Sequence, residues 1–139
     1  MSISIVRLGS PRTRHEGVRL GTVRRPPRGV RKADYASLDY YDLWLPELAP
    51  SAALVSWALS QPWTDSRWKT YARKYRREMR SPPAARLIAV LAAFSRTADF
   101  SVGCYCGDAT RCHRSLLRDL LADAGARLAA TPRKQPSRR

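Results

Sequence analysis

Acidic residues, cysteines and long apolar runs are all scarce in this sequence. Only 11 of its 139 residues are Asp or Glu, against 26 Lys and Arg, so the formal net charge is +15. No apolar run approaches the ~20 residues of a membrane-spanning helix, which argues against a membrane partner. Residues 1–10 lack a basic region followed by a continuous apolar core, so we expect no secretory signal.

Cysteine and histidine are also few, and they are clustered. The chain has 3 Cys and 2 His, and all the cysteines and one histidine fall between positions 104 and 113. An odd, tightly grouped set of cysteines does not fit the disulfide framework of a small secreted protein. We therefore expect a reducing, cytoplasmic location, and we expect His15 to be a surface residue and not a ligand.

Length and composition suit one domain. A chain of 139 residues with 44% hydrophobic content can bury a core without disulfide bonds. We expect a single domain over residues 1–126, followed by a basic, disordered tail over residues 127–139. The arginine excess attracts polyanions, because neutralised phosphates release counterions. An anionic small molecule or a nucleic acid is therefore the expected partner, although a solvated basic surface explains the charge equally well.

Short apolar runs alternate with helical patterns along the chain. The runs predict strands over residues 3–6, 18–23 and 99–106. Capping residues and periodicity predict helices that start after Ser51, start at Thr64 or Asp65, span residues 84–94, and span residues 115–124. This alternation predicts an α/β fold, a small single-domain sheet covered by helices, with a site at a strand-to-helix junction.

Three of these helices should bury apolar side chains. Residues 84–94 are rich in Ala, Leu and Ile, so we expect this helix to be mostly buried. Helical spacing predicts core faces in the other two helices, formed by Trp68, Tyr71, Tyr75 and Met79, and by Leu116, Leu117, Leu120, Leu121 and Ala124.

The cysteines lie where the last predicted strand enters the last predicted helix. Cys104 and Cys106 are two apart on the strand, so their side chains should share a face. Cys112 and His113 fall in the first helical turn, where free backbone N–H groups favour anions. Ligands of open α/β sheets bind at such junctions. We expect Asp108 either to cap this helix or to orient His113.

Four arginines are candidates to bind an anion at this site. The loop over residues 24–29 holds three arginines on either side of two prolines, and we expect Arg24 and Arg28 to act as donors to phosphate or carboxylate. Arg111 and Arg114 flank the cysteine and histidine pair. Pairing of the loop arginines with an acid is the alternative interpretation.

Three interpretations of the cysteine cluster remain open. We favour a reactive thiol, Cys106 or Cys112, with His113 as base or orienting partner. A metal site, with zinc as the expected ion, could be formed by Cys104, Cys106, Cys112 and His113. Adjacent residues on a helix point about 100° apart, which hinders chelation by both Cys112 and His113. The third interpretation is simple packing of buried cysteines.

The motifs resemble those of an uncharacterised family. Much of the chain, from about residue 18 to 121, is similar to the YeaO-like family, domain of unknown function 488, through Arg24, residues 27–29, Trp44, residues 47–51, Trp68, Tyr75, Glu78, Cys106 and residues 112–115. The resemblance implies a fold and no particular activity. From the residues, we expect a thiol- or metal-centred enzyme that acts on a phosphate-bearing substrate such as a nucleotide or nucleic acid. The alternative is a non-catalytic nucleic-acid-binding protein.

Overall fold

A parallel sheet of four strands forms the centre of the molecule. A computed structural model describes residues 1–130. The strands are β1 (Ile3–Arg7), β2 (Val18–Gly21), β3 (Leu43–Trp44) and β4 (Phe100–Cys104), in the order β1-β4-β2-β3. All adjacent strands are parallel. The predicted α/β sheet covered by helices is confirmed.

Four helices pack around this sheet. They are α1 (Ala52–Leu59), α2 (Asp65–Met79), α3 (Ala84–Phe94) and α4 (His113–Asp123). Ser51 and Thr64 cap α1 and α2 by accepting hydrogen bonds from the N–H groups of Leu54 and Arg67, as predicted. Within residues 1–130, none of the helices has both the length and the apolar character needed to cross a membrane.

The central strand β4 is buried at all of its positions. It pairs with β1 and β2, in register from Ile3 with Phe100 and from Val18 with Phe100, so both of its edges are covered. Apolar runs of this kind are typical of parallel strands that are buried on both faces. The strand ends at Cys104, two residues before the predicted end, so Cys106 lies outside the sheet.

The aromatic face of α2 belongs to the core. Tyr71, Tyr75 and Met79 are buried, and Trp68 is half-buried against Tyr71 with the two ring planes 20° apart. The Tyr75 hydroxyl donates a hydrogen bond to the Leu48 carbonyl at 2.8 Å. The stripe is therefore used for packing, as its spacing predicted.

Two expectations about burial are wrong. In α3 only Ala84, Ile88 and Ala92 are buried, while Val90 and Phe94 are 46% and 58% exposed. Leu87 and Leu91 pack half-buried beside this stripe, so the helix offers one side to the core although its composition is mostly apolar. In α4 the residues Leu116, Leu117 and Leu121 are buried and Leu120 packs half-buried against the same core, as predicted, but Ala124 is exposed. Ala124 follows the last helical residue, just before Gly125 turns the chain at φ +89°.

The chain continues to pair after α4. The Ile3 amide donates to the Arg127 carbonyl at 2.9 Å, and the Ala129 amide donates to the Ile3 carbonyl at 2.8 Å. Hydrogen-bonded structure thus extends past residue 126, where the predicted tail begins. Residues 131–139 lie outside the described residues.

Candidate functional site

Three cysteines meet at the carboxyl end of β4. Cys104 is the last residue of the strand, Cys106 follows two positions later, and Cys112 is the residue immediately before α4. Their sulfur atoms all lie within 4.8 Å of one another. Cys104 and Cys112 are buried and Cys106 is exposed, and all three are free thiols. The cluster is therefore able to hold a metal ion and is open on one side.

A tight turn brings Cys112 back to the strand end. Asp108 accepts hydrogen bonds from the backbone N–H and the hydroxyl of Thr110, at 2.9 and 2.6 Å. The carboxylate of Asp108 thus stabilises the 3₁₀ turn Ala109–Arg111, and it neither caps α4 nor contacts His113. Both expectations for Asp108 are wrong, because the turn is closed locally before the helix begins.

His113 is the first residue of α4, and it is buried. Its Nε2 lies 2.6 Å from the Thr22 carbonyl oxygen, which can only accept, so Nε2 carries the proton. The unprotonated Nδ1 faces Cys112, 3.9 Å from the sulfur. Burial lowers the pKa of His113, which keeps the imidazole neutral.

The expected obstacle to a shared site of Cys112 and His113 is absent. Cys112 is extended, with φ −136° and ψ 144°, so the two residues are not successive positions of a helix. Their side chains approach each other as a result. His113 nevertheless stays outside the group of three mutually close thiols.

The thiols differ in their affinity for protons. Donation from Cys104 and then Cys112 lowers the pKa of Cys106, and the nearby charge of Arg114 acts in the same direction. Because Cys104 keeps its proton beside this thiolate, its pKa rises to about 11. The pKa of Cys112 rises for the same reason, through Cys104 first and Cys106 second. The metal-free cluster thus holds its negative charge on the exposed sulfur.

A cleft of about 510 Å³ opens above the cysteines. All three cysteines, His113 and Tyr105 line its floor, and α1 forms one wall. The loop after β2 also lines the cleft, and its exposed Arg25 and Arg28 form the rim. Among the described residues that line the cleft, none is Asp or Glu. The cleft is accordingly suited to an anion.

Two of the predicted anion-binding arginines have other partners. Arg24 donates to the carbonyls of Pro50, Pro46 and Ala49 at 2.9, 3.1 and 3.3 Å, and so fixes the turn before α1. Arg111 donates to the Asp65 carboxylate at 2.7 Å and to the Thr64 carbonyl at 3.0 Å. Both side chains line the cleft, but their hydrogen bonds tie elements of the fold together.

The other two predicted arginines differ in exposure. Arg114 is buried, and its Nη1 lies 3.4 Å from the Val6 carbonyl. Arg28 is exposed on the cleft rim beside Arg25. Within residues 1–130, the guanidinium groups of Arg25 and Arg28 take part in no ion pair and no hydrogen bond. The backbone carbonyl of Arg25 accepts a hydrogen bond from the Tyr105 hydroxyl at 3.1 Å. Arg25 was missed as a site residue, although its place in the proline-rich loop was a sufficient signal.

The comparisons with known proteins identify the family. The model described as the active DUF488-N3 subclade matches residues 3–125. Neither the curated proteins nor the solved structures contain a match to this chain. The family match spans all four strands, all four helices and the complete cysteine cluster, and it agrees with the YeaO-like resemblance of the motifs. The chain belongs to the DUF488 family.

Proposed function

We propose that this chain is a metal-dependent enzyme that acts on a phosphate-bearing substrate, a nucleotide or nucleic acid. One observation carries the proposal. Three thiols within 4.8 Å of one another form the floor of a cleft whose rim presents two arginines without a partner among the described residues. A soft metal site and an anion site therefore face the same space.

The thiol geometry suits zinc. At a Zn–S distance of about 2.3 Å, the sulfurs of a tetrahedral centre lie about 3.8 Å apart. Thiols that already lie within 4.8 Å of one another need to move by no more than about 1 Å to reach that spacing. Three protein ligands leave the fourth position open, as in catalytic zinc sites. Exposed Cys106 places that open side toward the cleft.

The rim supplies the anion site. Arg25 and Arg28 extend from a loop stiffened by Pro26 and Pro27, and a guanidinium matches the geometry of a phosphate group. No carboxylate lines the cleft among the described residues, so no acidic side chain there offsets the charge of the arginines. The substrate would be held by its phosphate at the rim, with its reacting group over the cysteines.

Hydrolysis is the reaction class that this arrangement favours. A zinc ion with an open position lowers the pKa of a bound water and makes it a nucleophile. Such a hydrolysis would consume one water: a bond would form between the water oxygen and the electrophilic atom of the substrate, the bond to the leaving group would break, and the leaving group would take the proton. His113 lines the cleft with an unprotonated Nδ1 3.9 Å from the Cys112 sulfur, and it would accept that proton and pass it on. The description of the matching family model as active is consistent with catalysis.

The test is conversion of phosphate-bearing probes by the zinc-loaded chain. We expect turnover of at least one member of a panel of nucleotides, short oligonucleotides and simple phosphate esters, followed by chromatography. Cys112→Ser should abolish turnover with loss of zinc, and His113→Gln should lower it with zinc retained. Arg28→Gln should raise KM. The matched control Arg73→Gln, at an exposed arginine of α2, should leave turnover, zinc content and KM unchanged.

Two results would overturn the proposal. Turnover that persists in a metal-free chain and is lost only in Cys106→Ser would identify a thiol nucleophile in place of a metal. Zinc binding without conversion of any probe, together with nucleic-acid binding that survives all three cysteine replacements, would indicate the non-catalytic binding protein.

A further inference from the structure

A second cleft adjoins the first one, which is lined by the three cysteines. We infer that the second cleft binds one base of a single-stranded oligonucleotide, while the neighbouring nucleotide lies over the cysteines. The inference rests on the proposed function, since it names the substrate class of that site. The second cleft has a volume of about 690 Å³ and lies between the end of β1, the loop after β2 and the residues that precede β3.

Aromatic rings line one side of this cleft. Tyr40 and Tyr105 are half-buried, with ring centroids 6.1 Å apart and ring planes at 74°. The Tyr105 hydroxyl donates to the Arg25 carbonyl at 3.1 Å, so its ring is held against the arginine loop. Half-exposed rings beside a basic surface provide stacking faces for bases that are free of a duplex.

Three arginines complete the lining. Arg7, Arg25 and Arg28 all contribute to the second cleft. Within the described residues, none of the three takes part in an ion pair. The Arg7 Nε donates to the Tyr105 carbonyl at 3.3 Å, which leaves its two terminal nitrogens for another acceptor. The cleft thus combines stacking faces with uncompensated positive charge.

The two clefts share a boundary. Arg25, Arg28 and Tyr105 line both of them, so a group bound at the two arginines touches both spaces. A phosphodiester at this boundary would have one nucleotide on each side, one on Tyr40 and Tyr105 and the other above the cysteines. A mononucleotide or a free phosphate would occupy only part of this path.

The ring geometry favours a single strand over a duplex. Bases stacked within a duplex do not offer their faces to protein side chains, whereas unpaired bases do. The net charge of +15 attracts a polyanion, and the three arginines place that attraction along the two clefts.

Calorimetric titration with inorganic phosphate, thymidine monophosphate and a thymidine trinucleotide tests the inference. We expect affinity to rise in that order, with the trinucleotide at least tenfold tighter than the monophosphate. Tyr40→Leu should weaken trinucleotide binding about tenfold, because one base loses its stacking partner. Tyr40→Phe, which keeps the ring, should retain the affinity, and Arg28→Gln should weaken all three probes.

The control Phe94→Leu replaces an aromatic ring that is exposed elsewhere, on α3, and should have no effect. A trinucleotide that binds no tighter than the monophosphate would overturn the inference, as would an unchanged affinity in Tyr40→Leu or a short duplex that binds as tightly as the single strand. The titrations are repeated with Cys112→Ser. Trinucleotide affinity that survives loss of the metal supports the cleft even where the proposed hydrolysis fails, so the two failures are distinguishable.

Discussion

Arg19 is fully buried, and one carboxylate balances its charge. Its Nη2 donates to Glu16 at 2.9 Å, and its Nη1 donates to the carbonyls of Ser10 and Asp39 at 2.8 and 2.6 Å. The two charged side chains are 0% and 4% exposed. This ion pair joins β2 to the loop before it.

We predict that Glu16→Gln lowers the free energy of unfolding by about 3 kcal/mol, because the substitution leaves a buried guanidinium without a counter-charge. Urea denaturation measures the change. The control is Asp34→Asn, which removes the pair with Arg31, a side chain that is 81% exposed, and should cost less than about 1 kcal/mol. Equal losses in the two variants would contradict this account of the buried pair.

Single residues also show what the sequence could and could not predict about the site. The convergence of the cysteines followed from their places at a strand end and a helix start. The partners of the arginines did not, because the carbonyls that hold Arg24 belong to a turn more than twenty positions away in the chain. Only the tertiary structure distinguishes Arg24, whose guanidinium donates hydrogen bonds to backbone carbonyls, from Arg25 and Arg28, whose guanidinium groups do not.

Among the elements, α1 matters most to the cleft, since it forms one wall. Its start is fixed by Ser51, whose hydroxyl accepts from the Leu54 N–H at 3.2 Å and donates to Glu78 on α2 at 2.5 Å. The Ser51 N–H also donates to Glu78, at 2.7 Å. A single serine thus caps one helix and joins it to the next.

We predict that Ser51→Ala costs more stability than Thr64→Ala. Loss of a helix cap alone costs about 1 kcal/mol. Thr64 caps α2 by one hydrogen bond to the Arg67 N–H, so its replacement should cost about that amount. Ser51→Ala also removes a hydrogen bond to a carboxylate and should cost roughly twice as much. Thermal unfolding of the two variants makes the comparison, and the reverse order would show that the Glu78 contact adds nothing.

Periodicity predicted most elements because capping and apolar spacing are local properties. The short strand β3 is not among the predicted strands, because only two of its residues pair with β2 and so short a segment has no detectable apolar pattern. The exposure of α3 was hidden by its composition. Its alanines and leucines are apolar on every side, so the sequence did not indicate which stripe faces the core.

At the scale of the whole molecule, the salt dependence of affinity distinguishes binding in the two clefts from general attraction of nucleic acid to the basic surface. For a single strand, the logarithm of affinity falls with the logarithm of salt concentration by about 0.7 for each phosphate contact. If Arg25 and Arg28 share one phosphate and Arg7 contacts a second, the slope for the trinucleotide should be about −1.4.

Titration at several salt concentrations checks this slope. A slope unchanged in Arg73→Gln agrees with binding confined to the two clefts. A slope much steeper than about −1.4, reduced by Arg73→Gln, would instead place the nucleic acid on the basic face of α2, which includes Arg73.

The central claim is that Cys104, Cys106 and Cys112 form one metal centre, and the metal content of the purified chain tests it most directly. After loading with zinc under reducing conditions and removal of the excess, elemental analysis should find about one zinc per chain. Cys106→Ser and Cys112→Ser should each lose most of it, whereas His15→Ala, a change at an exposed histidine, should retain it. A wild-type chain without zinc, or cysteine variants that bind as much zinc as wild type, would contradict the account.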